Sequence, residues 1–254
     1  MNLKDPRTQL SWLLILIFLS ATFFYKDISL LKNLVIATSS AVIFDFLFWK
    51  LRKIEFFPPA AAITTGIIIS LLMSPTLPFY ELIIAAAIAM FFKNFISGAF
   101  KLPFIRFSNR HVFNPAGVGV ILTSFIFSHN VSWWAVSFQQ TLPFYLILLS
   151  PALVSMVRMR RHMITISFIV VYFFLISIIN HKSLIINQLL DPTVLFFSLV
   201  MLPEPMTTPN KKTLQIIFGF FIALFAIISS KFFTSIDPLI FALLAGNLIF
   251  YKIR

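Results

Sequence analysis

The sequence predicts an all-α integral membrane protein of about ten transmembrane helices, arranged as two inverted five-helix repeats in which helices three and eight are short or broken. Apolar residues make up 59% of the chain and charged residues only 11%, whereas about a quarter of a soluble domain is charged. The apolar residues fall into separate segments, and the basic residues concentrate on alternate loops. Residues 1–254 are therefore predicted to form a single polytopic membrane domain, with pseudo-repeats at about 1–130 and 131–254.

The distribution of positive charge predicts the orientation of the chain. Of the 20 Lys and Arg residues, Lys26, Lys32, Lys182 and Lys231 lie on one set of loops, and all the others lie on the alternate set. Because Lys and Arg concentrate on the cytoplasmic side, we expect a multi-pass protein of the cell membrane with both termini cytoplasmic. The formal charge of +12 is then a topology signal and a contact for membrane lipid, and nucleic acid is not an expected partner.

The predicted helices follow one another in a fixed order. The segments are Leu10–Tyr25, Leu30–Trp49, Ala60–Met73, Phe79–Phe92, Val112–Ser128, Leu142–Val157, Met163–Asn180, Pro192–Leu202, Thr213–Ser229 and Pro238–Phe250. The first is interpreted as an uncleaved span, because it has no small-x-small cleavage site. Trp12, Trp49 and the pair Trp133–Trp134 fall at segment edges, where aromatic belts form.

Segments three and eight are shorter than the ~20 residues that a helix needs to cross a bilayer. Pro58 and Pro59 precede segment three, and the proline-rich stretch Pro203–Pro209 follows segment eight. In a five-plus-five repeat these segments hold equivalent positions, and an odd number of crossings inverts the second half. Broken helices at matching positions of a repeat indicate a binding site.

Three polar clusters are predicted to lie on the cytoplasmic half of the protein, near these short segments. The candidate ligand-binding residues are Thr64, Thr65 and Gly66; Arg106, Arg110, His111 and Asn114; and Glu204, Thr207 and Thr208. Segments three and five begin on this side, and their unpaired N–H groups and positive dipole ends favour an anionic or hydrogen-bond-accepting ligand. A ligand that carries carbonyls, ring nitrogens or phosphate would suit such a site.

Each cluster also has a structural interpretation. Asn114 before Pro115 is a favourable N-cap and N1 pair, so a cap alone and a cap that also contacts a ligand remain equal alternatives. Gly66 suits close helix packing, which is the favoured interpretation, and Arg106 and Arg110 suit cytoplasmic loops. Glu204 is harder to explain structurally, because a carboxylate at a broken helix end is costly unless it is solvated or paired.

Asp45, Glu204 and Asn247 are candidates for an ion pathway. Asp45 is the only acid predicted to lie well within a span, where ionisable residues are functional candidates by default. In the alternative interpretation, Asp45 reaches the lipid headgroups or pairs with Lys50 or Arg52. Asn247 is expected to face the protein interior.

The sequence carries no motif of a self-contained catalytic centre. The four His residues lie far apart without a metal-ligand partner at helical spacing, so no metal site is predicted. There is no Walker loop, dinucleotide fingerprint or nucleophile elbow. Because cysteine is absent, thiolate chemistry is excluded.

In combination, three stretches resemble the NQR2/RnfD/RnfE family, which includes membrane subunits of the sodium-pumping NADH:quinone oxidoreductase and of the Rnf electron-transport complex. They are Thr65-Gly66 leading to Ser74-Pro75, the stretch Arg110–Ala116 with its Phe-Asn-Pro-Ala sequence, and the stretch Met201–Pro209. The resemblance runs roughly from Phe57 to Phe250.

The resemblance implies a flavin-binding subunit with ten helices in an inverted repeat, which passes electrons across the membrane coupled to sodium or proton transport. Such a subunit works with a reductase or other electron-transport subunits. Thr207 and Pro209 match the family motif after helix eight, and Glu204 replaces its usual Asp. The family attaches FMN covalently to a threonine in a Ser-Gly-Ala-Thr-like motif, which His129–Thr141 lacks. The implied cofactor is therefore a non-covalent flavin, FMN or riboflavin.

Two other functions remain open. A transporter or channel for a small polar solute or vitamin would use the same half-helices without redox chemistry. A membrane anchor would leave all the chemistry to its partner. The visible spectrum of the purified protein separates electron transfer from these two functions, because a reducible bound flavin supports electron transfer.

Overall fold

A computed structural model describes residues 6–53, 59–96, 111–137, 150, 152–154, 156–179 and 191–253. These residues form helices and their connections, without a β-strand. The helices are α1 (Pro6–Tyr25), α2 (Leu31–Arg52) after a 3₁₀ turn at Ile28–Leu30, α3 (Ala60–Leu72), α4 (Phe79–Phe95), α5 (Pro115–Ile126), α6 (Trp134–Ser137), α7 (His162–Ile179), α8 (Pro192–Phe196) continued by a π-helix at Phe197–Met201, α9 (Lys212–Phe232) and α10 (Pro238–Ile249). Most of predicted segment six, Leu142–Val157, lies outside the described residues.

Within the described ranges, three helical stretches are long and apolar enough to cross a membrane. They are Ile28–Arg52, His162–Ile179 and Lys212–Phe232. The protein is thus all-helical and membrane-embedded, as its composition predicts.

The short helices are more numerous than the sequence predicted. The 13 residues of α3 and the 12 each of α5 and α10 extend only about 18–20 Å at 1.5 Å per residue. Segment five begins later than predicted, at Pro115, and segment ten begins at Pro238 as predicted, because a capping residue followed by proline fixes the first turn of each helix. Asn114 Oδ1 accepts from Gly117 N at 2.9 Å, and Asp237 Oδ1 accepts from Ile240 N at 2.8 Å. Among the described helices that correspond to predicted segments, those at positions three, five, eight and ten are therefore short.

The chain divides into two compact units, Met1–Phe138 and Gln139–Arg254. In the first unit, α2 packs against α3 and α4, and α5 packs against α4 and α3. Gly66 allows a close approach, because a Cβ there would lie 2.5 Å from Thr38 Cα on α2. Gly119 has the same role on α5, where a Cβ would lie 2.4 Å from Ala85 O on α4. Glycine thus brings both short helices of this unit into backbone contact with a longer neighbour.

Contacts at the two ends of the first unit establish the directions of its helices. At one end, Asn33 Nδ2 at the start of α2 donates to Pro75 O, between α3 and α4, at 3.1 Å. At the other end, Asp45 in the later part of α2 pairs with Lys93 near the end of α4. The ring of Phe92 near the end of α4 also contacts the ring of Phe113, just before α5. The helices α2 and α4 therefore run in one direction, and α3 and α5 run in the other.

The second unit also contains long helices in close contact. Its long helices α7 and α9 pack together, and a Cβ on Gly219 of α9 would lie 2.4 Å from Ile164 O on α7. Thr165 Oγ1, near the start of α7, donates to Ser198 O in the π-helix at 2.7 Å. This bond places the end of the α8 segment beside the start of α7, so α8 runs against α7.

The carboxyl end of α3 is closed by the residues that follow α5. Ser132 N and Trp133 N donate to Leu72 O at 2.9 and 3.1 Å, and Trp134 Nε1 donates to Ser70 O at 2.8 Å. Both tryptophans are 5% exposed, which corrects their expected position in an interfacial belt. A buried helix end needs partners for its last carbonyls, and these residues supply them.

Candidate functional site

The candidate threonines of α3 have their hydroxyl groups engaged within the first unit. Thr64 Oγ1 bonds to Ala60 O at 2.9 Å and lies 2.8 Å from Ser11 Oγ on α1. Thr65 is buried, and its Oγ1 donates to Ala61 O at 2.8 Å. Since a hydroxyl has one proton and two lone pairs, Thr65 would offer a ligand an acceptor, not a donor.

Asn114 is the N-cap of α5. Its side chain is 3% exposed, and the bond from Gly117 N occupies its Oδ1. The cap predicted from the sequence is therefore formed, and a ligand contact would use the Nδ2 group or the second lone pair of Oδ1. His111 is half-buried three residues earlier, whereas Arg106 and Arg110 lie outside the described residues.

In unit one, the amino ends of α3 and α5 lie at the same end as Asp45. This follows from the helix directions, because α3 and α5 both run against α2 and α4, and α3 packs against α5. The candidate residues Thr64, Thr65 and Asn114 thus share one end of this unit. Their helix N-termini place partial positive charge there.

The candidate residues after α8 form a compact polar loop, Pro203–Asn210, in the second unit. Thr207 and Thr208 are completely buried, and Glu204 is half-buried. Thr207 Oγ1 donates to Glu204 Oε2 at 3.3 Å, and Thr208 Oγ1 donates to Glu204 O at 2.6 Å. The carboxylate is therefore paired by a hydroxyl of its own loop, which lowers the cost of its burial.

Arg161 holds this loop in place. From the sequence, it was expected only to contribute to the positive charge of a cytoplasmic loop. It is 5% exposed, and its guanidinium donates to Pro209 O, to Pro205 O at 3.3 Å and to Asn210 Oδ1. The planar guanidinium can bind several oxygens at fixed angles. The sequence gives no sign that Arg161 differs from its neighbours Arg158 and Arg160, because its acceptors lie more than 40 residues away along the chain.

Two further side chains fix the same loop from neighbouring helices. Asn247 of α10 is completely buried, and its Nδ2 donates to Thr207 O at 3.2 Å. Gln215 of α9 is 1% exposed, and its Nε2 donates to Asn210 O at 3.2 Å and to Arg160 O at 3.0 Å. Asn247 faces the interior of its unit, and a role in an ion pathway stays a prediction.

Asp45 forms a buried ion pair with Lys93, which was predicted to lie in a loop. Its Oδ2 lies 2.8 Å from Lys93 Nζ, and its Oδ1 accepts from Asn94 Nδ2 at 2.8 Å. The partner is thus Lys93, not Lys50 or Arg52 as the alternative interpretation proposed. Lys50 is exposed, because five residues along an α-helix correspond to a rotation of roughly 140° away from Asp45.

A second acid, at the start of α4, is also buried. Glu81, in the first turn of α4, is 5% exposed. Its Oε2 lies 2.8 Å from His129 Nε2, and neither atom has a further hydrogen-bond partner among the described residues. The left-handed residue Ser128, with φ of 55°, turns the chain after α5 and lets His129 reach α4.

These features define a helical membrane protein with short helices, buried polar groups at their ends and no cluster of metal-ligating side chains in the described ranges. The chain belongs to the NQR2, RnfD, RnfE family, whose model matches residues 5–144. The match includes the Asp45–Lys93 pair, the α3 threonines and Asn114, and it ends before the loop Pro203–Asn210. Comparison with curated proteins finds no match.

Proposed function

We propose that this chain is the flavin-binding membrane subunit of a complex that couples electron transfer across the membrane to sodium or proton transport. The observation that carries the proposal is the family match over residues 5–144. The chain would be one part of an oxidoreductase or translocase and would work with a reductase or other electron-transport subunits. It has no catalytic centre of its own in this proposal.

The proposed topology is ten helices in two inverted repeats, with both termini on the cytoplasmic side of the plasma membrane. It is supported by the alternation of longer and shorter helices, which is the same in α2–α5 of unit one and in α7–α10 of unit two. The polar residues lie at the amino ends of α3 and α5 in unit one, and at the carboxyl ends of the α8 segment and α10 in unit two. Five crossings in each half would turn the second half over, in agreement with the alternate basic loops.

The residues present fit a flavin in two respects. A flavin ring carries two carbonyl acceptors and one N–H donor, so either a donor or an acceptor in one unit by itself could contact it. In the second unit, Glu204 supplies a half-buried acceptor on a loop that Arg161, Gln215 and Asn247 hold in place. In the first, Asn114 supplies an amide group at the positive end of the α5 dipole. When bound, the flavin would supply the electron-carrying chemistry, and Asp45, Glu204 and Asn247 are the proposed ion-pathway residues.

The visible spectrum of the detergent-purified protein tests the flavin. We expect absorption bands of an oxidised flavin that bleach with dithionite, and release of free FMN or riboflavin on denaturation, because the family's attachment motif is missing. Colourless protein that binds neither added FMN nor riboflavin would refute the proposal. That result would favour the transporter for a small solute or vitamin.

Asn114→Asp tests the ligand contact without removing the helix cap, because Asp is as good an N-cap as Asn. We expect this variant to keep its thermal midpoint and to lose bound flavin. Asp237→Asn is the matched control, since it makes the reverse cap-preserving change on α10 and should retain flavin. Glu204→Gln keeps an acceptor for Thr207 but removes the charge, and it should weaken flavin binding. Unchanged flavin content in both site variants would return Asn114 and Glu204 to structural roles.

A further inference from the structure

Residues 128–137, which follow α5, form a clasp over the carboxyl end of α3. The backbone amides of Ser132 and Trp133 both donate to Leu72 O, at 2.9 and 3.1 Å. Trp133 has a φ of 50°, a left-handed conformation that is strained for a bulky side chain and persists only where surrounding contacts hold it. The clasp is therefore closed against local strain, and its closure depends on contacts elsewhere in the unit.

The contact between His129 and Glu81 ties the start of the clasp to α4. His129 Nε2 lies 2.8 Å from Glu81 Oε2, and neither atom has another hydrogen-bond partner among the described residues. On the other side of the ring, His129 Nδ1 lies 3.3 Å from Asn130 O. Both ring nitrogens thus face an oxygen, and only the imidazolium carries a proton on each nitrogen. Neutral His129 beside a protonated Glu81 holds the same number of protons, so either form suits the closed clasp.

Loss of this proton would leave a buried charge without a partner. Glu81 is 5% exposed, and its carboxylate would then face a neutral ring. Removal of one partner of a buried ion pair is strongly destabilising, because the remaining charge still bears its desolvation cost. The contact therefore holds the clasp firmly while the proton is bound and weakly once it is lost.

Among the described residues that pack against the clasp, histidine is the residue type whose charge changes near neutral pH. Helices α3 and α5 have no ionisable side chain. Helix α4 adds Tyr80 beside Glu81. Helix α1, which contacts α6, ends at Tyr25 and is followed by the exposed Lys26 and Asp27. In water, tyrosine and lysine titrate at roughly 10 and aspartate at roughly 4, whereas histidine changes charge between about pH 5 and pH 8.

We propose that the Glu81–His129 pair is a pH-sensitive lock that holds the clasp on the end of α3. Low pH supplies the proton that closes the lock. As the pH rises, the pair loses this proton, the buried carboxylate is left without a counter-charge, and the clasp opens more often. Leu72 O then loses its two donors. The lock lies at the end of the first unit opposite Asp45, and it requires neither flavin nor ion transport.

Amide hydrogen exchange of the detergent-purified protein, followed by mass spectrometry, tests the lock because it measures local opening. The protection of peptides that contain Ser132 and Trp133, corrected for the intrinsic exchange rate, should fall roughly tenfold or more between about pH 5 and pH 8, as expected when a buried polar group loses its partner. Peptides from α9, in the second unit, should keep their protection. Constant protection of the clasp would overturn the proposal, and so would an equal fall in α9.

Substitution of either partner should change the pH dependence in a different way. In Glu81→Gln the new amide can donate to neutral His129, whereas the imidazolium is buried without a counter-charge, so protection of the clasp should rise with pH. His129→Gln removes the titrating ring, so protection should no longer depend on pH. A clasp that still opens with rising pH in either variant would refute the pair as the sensor.

His162→Gln is the matched control, because it makes the same substitution at a half-buried histidine of the second unit. The clasp should keep the wild-type pH dependence in this variant, and loss of that dependence would contradict the lock. If Glu81→Gln does not fold, His129→Gln decides alone by the criterion already given. The exchange measurements do not depend on bound flavin, so the lock and the proposed flavin can fail independently.

Discussion

Gly66→Ala should destabilise the protein, because the added methyl group has no room against α2. The new Cβ would lie 2.5 Å from Thr38 Cα, 2.8 Å from Ala37 O and 2.9 Å from Thr38 N. All three are backbone atoms, so relief requires a shift of a whole helix. Overpacking of this kind costs about 1–3 kcal/mol. The higher helix propensity of alanine offsets about 0.5–1 kcal/mol of this cost, which leaves a net cost of up to about 2.5 kcal/mol. At roughly 2–4 °C per kcal/mol for a chain of this size, the expected loss is up to about 10 °C.

Gly246→Ala is the matched control for this prediction. Its Cβ would meet Ile222 Cδ1 at 2.4 Å and Phe218 Cε2 at 3.1 Å, which are the ends of side chains and can rotate. Alanine also gains about 0.5–1 kcal/mol over glycine inside a helix, so the net change should be within about 1 kcal/mol of zero.

Both glycine variants are measured by thermal unfolding of the detergent-purified protein, followed by helical circular dichroism. Equal losses in the two variants would contradict the distinction between backbone and side-chain neighbours. A Gly66→Ala protein that keeps its midpoint but loses bound flavin would show instead that Gly66 contacts the ligand. The measurement therefore decides between the two interpretations of Gly66 that the sequence left open.

Three further predictions concern single hydrogen bonds. Trp134→Phe removes the donor to Ser70 O and should lower the thermal midpoint by about 1–4 °C, since such a bond contributes roughly 0.5–1 kcal/mol; an unchanged midpoint would contradict its role at the end of α3. Asp237→Ala should cost about 1 kcal/mol through loss of the α10 cap, whereas Asp237→Asn should cost little; equal losses in chemical denaturation would refute the cap. Hydrogen bonds from Ser29 lower the pKa of Asp27 below its ordinary 3.8. Its folded-state pKa is thus depressed, so its small contribution to stability is present above pH 3.8 and is lost as the pH falls through the folded-state pKa. NMR titration of the Asp27 carboxyl group would contradict this if its pKa were ordinary or raised.

Local sequence was sufficient for much of the fold. Composition alone predicts a helical membrane protein, because so few charged residues cannot cover a soluble surface. The starts of α5, α8 and α10 are also readable, since Asn114, Asp191 and Asp237 each precede a proline and cap the helix that follows. A capping side chain and the backbone N–H that donates to it lie within three residues of each other, so the cap does not depend on how the helices pack.

The candidate site was predictable only in part, because some of its contacts join residues that are distant along the chain. The sequence drew attention to Glu204 and Thr207, which are three residues apart and bond to each other. It did not reveal Arg161, whose acceptors on the loop Pro203–Asn210 are distant along the chain. A basic residue at a helix start has the same local appearance whether it faces solvent or a buried loop.

The sequence by itself determined the class of protein and the order of the helices α1–α5 and α7–α10. Only the tertiary structure decided that the partner of Asp45 is Lys93 and that Trp133 and Trp134 close the end of α3. These contacts depend on the rotation of each helix about its axis and on which helices are neighbours. Both are set by close packing at glycines such as Gly66 and Gly119, which local propensity does not encode.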